Sequence, residues 1–378
     1  MKKILIISSE YTGHGHKSVH TAIIQGISKL YKDEIDCKVV NGFELANKKF
    51  EVLERLYNPC VKYFPDMWSK LFLLSDKNTN FFNKNTSKNI EKEFIKLLNY
   101  YGPDLILSVH PLFNGSVLNI LEKYNIKIKF YTLITDIISV TNIWLDNRSD
   151  KIISPSIEVS NFIAENGIDK EKILTFGIPV REKFSSIYFN IEDLRKNTNL
   201  NGKLKILLLN NSEKSKRIYY IIKKLHEKYD CDITVVCGRN RNSYRRIKYR
   251  LRDYKKEVNL IGYTNELFKL FQNNDILITR CGSLSVAEAI NCIIPIISMG
   301  ALPGQEEDTP IYLEKNGLGY STSSTNDIFC KIDILLENGR KKLLEIREAQ
   351  FNYYGRDMRD KIVKYIADEL VYNNIENK

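Results

Sequence analysis

The sequence lacks three features that would place it in other classes of protein. None of its 378 residues belongs to a run approaching the roughly 20 apolar residues that a membrane-spanning helix needs, so we expect any membrane contact to be peripheral. Its seven cysteines include no Cys-x-x-Cys pair, which argues against a zinc module and predicts reduced thiols in a cytoplasm. No basic stripe alternates with stacking aromatics in a recognisable module, so we predict no nucleic-acid partner.

A secretory leader is also not expected. The chain begins MKKILIISSEYTG, and only about five apolar residues follow the basic start before a polar loop. We therefore interpret this stretch as a β-strand.

The charge balance favours anionic partners. Lys and Arg number 57 against 46 Asp and Glu, a formal net charge of +11, which suits nucleotides, phosphates or acidic lipid surfaces. The chain is rich in Lys, Asn and Ile throughout, so a compositional bias explains the same surplus equally well. With 43% hydrophobic and 27% charged residues, the composition is that of a folded soluble protein. The length predicts two domains.

Short β-branched runs alternate with longer helical patterns along the whole chain, which is typical of parallel α/β architecture. Because the runs are apolar on both faces, they predict central strands. They lie at residues 3–8, 37–41, 104–109, 129–134, 151–154 and 172–176, and again at 205–210, 232–237, 258–262, 275–279 and 295–298. We predict domains at 1–184 and 185–356, followed by an amphipathic helix and tail at 357–378, for which one option is packing against the first domain.

Residues 56–82 depart from this alternation by combining many aromatic residues with lysines. Aromatic rings at headgroup level and ammonium groups beside acidic lipids favour a membrane interface. An ordinary pair of core helices with solvated lysines has the same spacing, and both interpretations stay open. On the first of them, Trp68 and Phe72 contact the lipid-facing side of an acceptor site.

The stretch SEYTGHGHKSVH, residues 9–20, follows the first predicted strand and precedes a helix. Its glycines let the backbone approach a ligand, and free N–H groups at the helix start favour an anion. A dinucleotide site is weakly supported, because Gly-x-Gly-x-x-Ser lacks the third glycine. A metal site would use His14, His16 and His20. The third interpretation makes His16 a general base, with Asp136 as its orienting or charge-stabilising partner.

Two stretches of the second half suit a nucleotide and a polyol. In TRCGSLSVAEA, residues 279–289, a turn of small residues leads into a helix carrying Glu288, an acid available for ribose hydroxyls. In MGALPGQEEDT, residues 299–309, Gln305 and Glu306 lie in a Pro-Gly turn, where an amide and a carboxylate can bond sugar hydroxyls. Each alone could be a capping device. Together, at successive strand ends of one sheet, they indicate two ligands side by side.

An ordered set of motifs resembles one known family. The motifs are GHGHKS, SVHPL, TDIISVTNIW, FGIPVREKF, CGRN, IGY, GSLSVAEA and LPGQEE, and the resemblance runs from about residue 4 to about residue 320. This combination resembles the monogalactosyldiacylglycerol synthases and processive diacylglycerol glucosyltransferases, relatives of the peptidoglycan lipid glycosyltransferase. The resemblance implies a GT-B fold, with two Rossmann-like domains facing across a cleft.

The resemblance also implies an activity and its partners. It implies inverting transfer of a hexose from a UDP-sugar to diacylglycerol or a related membrane lipid. It implies neither a metal nor another cofactor, since helix N-termini and an arginine can stabilise the leaving diphosphate. The implied location is cytoplasmic, peripheral on the inner face of the cell membrane, at an anionic lipid surface.

Roles for individual residues follow from the same resemblance. The resemblance implies that His16 is the base and that Gly13 and Gly15 shape its loop. It also implies that Asp136 and Trp144 belong to the acceptor-side motif. The residues implied or expected on the donor side are Arg181, Gly238, Arg239, Asn240, Gly262, Tyr263, Gly282, Ser283, Ser285, Glu288, Gly304, Gln305 and Glu306.

Four places differ from the family's pattern. Thr141 stands where the family commonly has histidine, Cys281-Gly282-Ser283 replaces Pro-Gly-Gly, Thr309 replaces asparagine, and LLNNSEKSKR lacks the expected glycines. Two alternatives therefore remain open: a UDP-sugar transferase with a polyprenyl-linked or soluble acceptor, and a nucleotide-sugar-binding protein without turnover.

Overall fold

The computed structural model of the protein describes residues 1–12, 15–46, 48–210 and 213–372. The chain divides into two compact units. The first comprises Met1–Glu182, Pro303–Gln305 and Asp357–Lys378, and the second comprises Lys183–Leu302 and Glu306–Arg356.

The first unit is built on a parallel sheet whose strands have buried apolar residues on both faces. Its strands are β1 Lys2–Ser8, β2 Ile35–Asn41, β3 Leu105–Ser108, β4 Lys129–Leu133, β5 Lys151–Ser154 and β6 Ile173–Thr175. Its helices include α1 Gly15–Leu30, α2 Lys48–Tyr63, α3 Pro65–Lys77, α4 Thr79–Tyr101, α5 Asn114–Lys123 and α6 Ile157–Glu165. The strand order is β2-β1-β3-β4-β5-β6, and every described pairing is parallel.

The second unit repeats the same plan. Its strands are β7 Leu204–Leu209, β8 Cys231–Val236, β9 Asn259–Ile261, β10 Ile276–Thr279, β11 Ile296–Ser298 and β12 Gly319–Tyr320. Its helices are α7 Ile191–Asn197, α8 Ser215–Lys228, α9 Arg241–Leu251, α10 Leu267–Gln272, α11 Ser283–Asn291, α12 Thr309–Lys315 and α13 Asp327–Phe351. The strand order is β12-β11-β10-β7-β8-β9, again with parallel pairings. The predicted pair of parallel α/β sheets is confirmed, and the two-residue strand β12 is an addition to the predicted set.

The last helix, α14 Arg359–Ala367, lies in the first unit and packs against α1. A side chain at Gly26 would place its Cβ 2.8 Å from Val363 Cγ2, so glycine permits the close approach of the two helices. A π-helical turn, Asp368–Tyr372, continues the chain, so the amphipathic segment predicted at 357–372 begins two residues later and changes its helical type.

The strand orders determine where ligands can bind. In each sheet the order reverses direction beside the first strand of the unit, at β1 and β3 in the first and at β7 and β10 in the second. Crevices outside the carboxyl ends of parallel strands at such switch points are the usual ligand sites of open α/β sheets. Of the predicted site residues, His16 follows β1 and Gly282 follows β10 at these switch points, whereas Asp136, Gly238 and Gly262 follow β4, β8 and β9.

Candidate active site

His16 lies in the first turn of α1, directly beyond the carboxyl end of β1. Gly15 begins the helix, whereas Gly13 and His14, the other predicted members of the loop, lie outside the described residues. The His16 side chain is only 9% exposed, and its Nδ1 lies 2.6 Å from the carbonyl oxygen of Val109 at the end of β3. The Val109 carbonyl, at the switch point between β1 and β3, therefore holds the His16 imidazole in one orientation.

The contact with Val109 determines the tautomer of His16. A carbonyl oxygen can only accept a hydrogen bond, so Nδ1 carries the proton and donates it. The other ring nitrogen, Nε2, then keeps its lone pair. Burial lowers the pKa of His16 from 6.5 to about 4, although the Val109 hydrogen bond and the nearby Glu54 carboxylate act in the opposite direction. The imidazole is consequently neutral at physiological pH.

Three further groups surround the His16 ring. Thr135 Oγ1, at the end of β4, lies 3.3 Å from His16 Nδ1. The ring centroid of His110 is 4.6 Å away and that of Trp144 is 6.3 Å away. Burial, followed by the effect of His16, lowers the pKa of His110 well below its usual value, so this second imidazole is neutral too. The candidate base is therefore buried among a hydroxyl group, a neutral imidazole and an indole ring.

Asp136 and Trp144, predicted together from one motif, are in direct contact. The indole Nε1 of Trp144 donates to Asp136 Oδ2 at 2.9 Å, and both side chains are buried. Asn114 Nδ2 donates to the Trp144 carbonyl oxygen at 2.9 Å and fixes the backbone of this turn. The hydrogen bond that orients His16 comes from Val109 rather than from Asp136, which follows Thr135 at the same strand end.

His20, the other described histidine of the loop, has a different environment from His16. Its Nδ1 lies 2.8 Å from Ser8 Oγ, and burial lowers its pKa to about 4. Within residues 1–12, 15–46, 48–210 and 213–372, no group of three His, Cys, Asp or Glu side chains is arranged to hold a metal ion.

Sequence reasoning missed Glu54, a buried carboxylate of α2 that is 2% exposed. Its Oε1 accepts from Ser9 Oγ at 2.6 Å and from the backbone N–H groups of Glu10 at 2.8 Å and Tyr11 at 2.9 Å, while Oε2 accepts from Asn41 Nδ2 at 3.0 Å. Three of these donors belong to residues 9–11, the segment that leads to His16. One signal was available, since Glu54 lies four residues after the buried Phe50, on the inward face of the helix.

Helices α2 and α3 turn apolar side chains toward solvent. Exposed apolar residues recur at helical spacing at Val52, Leu56 and Tyr63 of α2 and at Met67, Leu71 and Leu74 of α3. Leu73 of α3 and Phe64, between the two helices, are exposed as well. Trp68, predicted to contact lipid, is half-buried, and its ring packs edge-on against Tyr57 with centroids 4.7 Å apart. Phe72 belongs to α3, which spans Pro65–Lys77. In the described part of the chain, no helix is long and apolar enough to cross a membrane.

In the second unit, four predicted donor-side residues line one cavity of about 840 Å³. They are Gly238, Arg239, Gly262 and Tyr263, and they follow β8 and β9. The guanidinium of Arg239 lies 4.8 Å from the centroid of the Tyr263 ring, a cation–π contact. Arg241, Tyr244, Arg245 and Lys248 complete the lining, so the cavity is strongly cationic. Asn240 caps α9 by accepting from the Ser243 N–H at 3.0 Å.

The ends of β10 and β11 carry a second group of predicted residues. Arg280 Nε forms an ion pair with Glu306 Oε2 at 3.2 Å, and the same oxygen accepts a hydrogen bond from the Leu302 N–H at 3.1 Å. A side chain at Gly282 would place its Cβ 3.0 Å from Glu306 Oε1, so glycine lets this carboxylate approach the start of α11. Ser283 and Glu288 are buried on that helix, and Ser285 is half-buried there.

The remaining predicted residues lie in turns. Gly304 has φ +82° in the turn before α12, a conformation that favours glycine, and Gln305 follows it half-buried. Arg181 is half-buried just before the short 3₁₀ helix Glu182–Phe184.

A comparison with a solved structure extends over nearly the whole chain. The UDP complex of MnaA from S. aureus matches 98% of this chain and 97% of its own, with a TM-score of 0.60 and 13% sequence identity. Together with the two parallel sheets and their strand orders, this likeness defines the GT-B fold class.

Sequence comparisons show which proteins this chain is similar to. Residues 16–180 match the family model of monogalactosyldiacylglycerol (MGDG) synthase. The chloroplast monogalactosyldiacylglycerol synthase of Spinacia oleracea is 29% identical over 390 residues, covering 99% of this chain and 73% of that protein. The processive diacylglycerol β-glucosyltransferase of Bacillus cereus is 25% identical over 385 residues, covering 99% and 95%. These similarities confirm the resemblance predicted from the motifs.

Proposed function

We propose that this protein transfers a hexose from a UDP-sugar to diacylglycerol or a related membrane lipid, with inversion at the anomeric carbon. The names of its relatives support the lipid acceptor, since one is a monogalactosyldiacylglycerol synthase and another a diacylglycerol β-glucosyltransferase. The bound UDP of the fold relative supports the donor class. We place the reaction at the inner face of the cell membrane, with the protein bound peripherally.

The observation that carries the proposal is the geometry of His16. Its Nδ1–H donates to Val109, and in the described part of the chain no hydrogen bond engages Nε2. A neutral imidazole with one fixed tautomer is suited to accept a proton from an acceptor hydroxyl. As that proton moves to Nε2, the hydroxyl oxygen forms a bond to the anomeric carbon. The bond from that carbon to the diphosphate oxygen breaks, and UDP leaves with the electron pair. A single displacement of this kind inverts the configuration.

The charge that forms on His16 needs compensation because the pocket is buried. The Glu54 carboxylate favours the protonated imidazole electrostatically, so it stabilises the imidazolium as the proton arrives. We also assign Asp136 to the acceptor site, as a second carboxylate beside Glu54. Its side chain accepts a hydrogen bond from the Trp144 indole.

For the donor, we assign the cationic cavity of the second unit to the nucleotide diphosphate. Arginine side chains bind phosphate oxygens with directed hydrogen bonds, and their charge offsets the negative charge that develops as UDP leaves. Arg239 and Tyr263 supply a cation and an aromatic face in the same cavity. We propose that no metal cofactor is needed, with Glu288 on the ribose and Gln305 with Glu306 on the hexose.

The exposed stripe of α2 and α3 suits a lipid surface. Leu56 and Leu71 are 54% and 45% exposed, and the basic residues Arg55, Lys70 and Lys77 are exposed on the same helices. Apolar side chains flanked by cations fit the boundary between acyl chains and acidic headgroups. This arrangement supports a peripheral mode of membrane binding through the unit that holds the acceptor site.

The test is a transfer assay with product identification. Radiolabelled UDP-glucose or UDP-galactose is incubated with vesicles that contain diacylglycerol, and the lipid product is analysed by mass spectrometry. We expect a hexosyl lipid from the wild-type protein and a loss of product from His16→Ala. If product forms only on a polyprenyl-linked or soluble acceptor, the assignment of diacylglycerol as the acceptor is wrong. Binding of UDP without transfer to any acceptor would contradict the enzymatic proposal.

A further inference from the structure

Two acidic side chains connect the exposed helices α2 and α3 to the loops of the candidate active site. Glu54 of α2 and Asp76 of α3 both point away from the apolar stripe, and each accepts hydrogen bonds from a backbone segment that leads to a predicted catalytic group. Neither residue belongs to the motifs on which the family resemblance rests.

Glu54 holds the segment that precedes the His16 loop. One oxygen accepts from Ser9 Oγ and from the N–H groups of Glu10 and Tyr11, all at 2.6 to 2.9 Å. A carboxylate that accepts several N–H and O–H donors forms strong, charge-assisted hydrogen bonds. The adjacent Arg55 adds a cation–π contact, with its guanidinium 5.8 Å from the Tyr11 ring centroid. Helix α2 therefore restrains residues 9–11 from two consecutive positions.

Asp76 holds a second backbone segment of the site, the one that leads to Trp144. Its Oδ1 accepts from the Asn142 N–H at 2.7 Å. Asn142 begins the 3₁₀ turn Asn142–Trp144, whose indole holds Asp136. Helix α3 is thereby joined to the acceptor-side motif through a directed hydrogen bond.

We infer that Glu54 and Asp76 are positioning residues that couple docking of α2 and α3 on a membrane to the geometry of His16 and Asp136. The inference rests on the proposed membrane docking. A lipid surface that restrains the two helices also restrains the backbone segments bonded to them, and the coupling is reciprocal because it is a free energy shared between two sites. The enzyme would then be most ordered where its lipid acceptor is present.

The direct readout is hydrogen exchange at the three backbone amides that donate to these carboxylates. The full chain is mixed with vesicles of phosphatidylcholine and phosphatidylglycerol in equal amounts, without diacylglycerol or UDP-sugar. We expect vesicles to slow exchange at Glu10, Tyr11 and Asn142 by a factor of about 5 or more, the lower end of typical coupling between sites. Because no transfer occurs in this experiment, its outcome is separate from that of the activity assay.

Single variants should divide the effect between the two loops. In Glu54→Ala, the amides of Glu10 and Tyr11 should exchange rapidly with or without vesicles, while Asn142 keeps its response. Asp76→Ala should show the reverse pattern. Asp76 is half-buried, so its variant tests the inference even if removal of the buried Glu54 prevents folding.

Kinetics provide the second readout. Each alanine variant should lower kcat about 10²-fold, the scale expected when catalytic groups lose their alignment, while the KM for the UDP-sugar stays unchanged. Glu54→Gln retains one oxygen for the three donors at residues 9–11 and should recover part of kcat, since it restores these hydrogen bonds but not the charge that favours the His16 imidazolium. Asp66→Ala, which removes an exposed acid from the first turn of α3, is the matched control and should leave both readouts unaltered.

Three outcomes would overturn the inference. First, the wild-type protein sediments with vesicles but hydrogen exchange at all three amides is unchanged. Docking is then not coupled to the geometry of the site. Equal acceleration of all three amides in either variant indicates general loosening instead of two separate connections. If the protein does not bind vesicles, no docking occurs and the inference is wrong. The transfer assay with detergent-dispersed diacylglycerol then tests the proposed function separately.

Discussion

The candidate sites of the two units differ in burial and in charge. In the first unit, His16 and Asp136 are 9% and 7% exposed, and the imidazole is neutral because burial lowers its pKa to about 4. In the second unit, Arg239 is exposed and Tyr263 is 54% exposed, and the cavity they line contains three further basic side chains. The same strand-to-helix plan therefore carries two opposite electrostatic environments.

This difference follows from what each site is proposed to handle. A base that removes a proton from a hydroxyl must itself be unprotonated, and desolvation ensures that. A diphosphate carries its charge into the complex and leaves with more, so its site needs permanent cations and tolerates water. The surfaces of the two units differ in the same way, since apolar side chains project from α2 and α3 whereas several arginines and Lys248 project from α9.

The largest expected effect is on catalysis in the first unit. Replacing His16 by alanine removes the proton acceptor and should lower kcat about 10² to 10⁴-fold, the usual range for a general base. The affinity for UDP, measured by calorimetry, should not change because the cationic cavity belongs to the second unit.

His226→Gln is a matched control for that experiment. His226 is also buried and also has a lowered pKa, but it lies in the second unit with its ring stacked on Tyr254. It should retain transfer activity. If His16→Ala turns over substrate as fast as the wild type, His16 is not the general base.

The second prediction concerns the apolar surface of the first unit. Leu56→Ser combined with Leu71→Ser should weaken binding to phosphatidylglycerol-containing vesicles by roughly tenfold per leucine, because each loses about 1.5 kcal/mol of apolar burial. Sedimentation with vesicles measures the change, which should persist at high salt. Leu30→Ser replaces a leucine of similar exposure, 44%, at the end of α1 and should bind normally. Equal losses in the control and the double variant would show that α2 and α3 are not the docking surface.

The sequence predicted the sheets well and the contacts between loops poorly. Runs that are apolar on both faces can hardly form anything but central strands, so β1, β3 and β10 were identified from composition alone. Val109 was not identified as the partner of His16, because a backbone carbonyl 93 residues away leaves no side-chain signal. Helical spacing also does not reveal which side chains pack on each other, so the contact between Trp68 and Tyr57 was not predicted.

The third prediction concerns the second unit. Arg239→Ala should weaken UDP binding about tenfold, the lower end for a lost charged hydrogen bond, and salt should reduce the difference between variant and wild type because the site is open. Calorimetry at two salt concentrations measures both effects. Vesicle binding through the leucines of the first unit should be unaffected. Lys255→Ala, an exposed cation of the same unit outside the cavity lining, should bind UDP normally, and a similar loss there would indicate only a general effect of charge.

The smallest effect is expected from moderate acid, and it tests the neutral environment of the first site. A histidine with its ordinary pKa would be mostly protonated at about pH 5.5 and would lose about tenfold in activity relative to about pH 7.5. Because burial lowers the pKa of His16 to about 4, the reactive neutral form persists, and kcat/KM should fall by less than about twofold over that interval. Activity should decline only as the pH approaches 4. A decline centred near pH 6.5, in protein whose circular dichroism is unchanged, would mean that the His16 pocket is open to water and that the two sites are less different than their structures indicate.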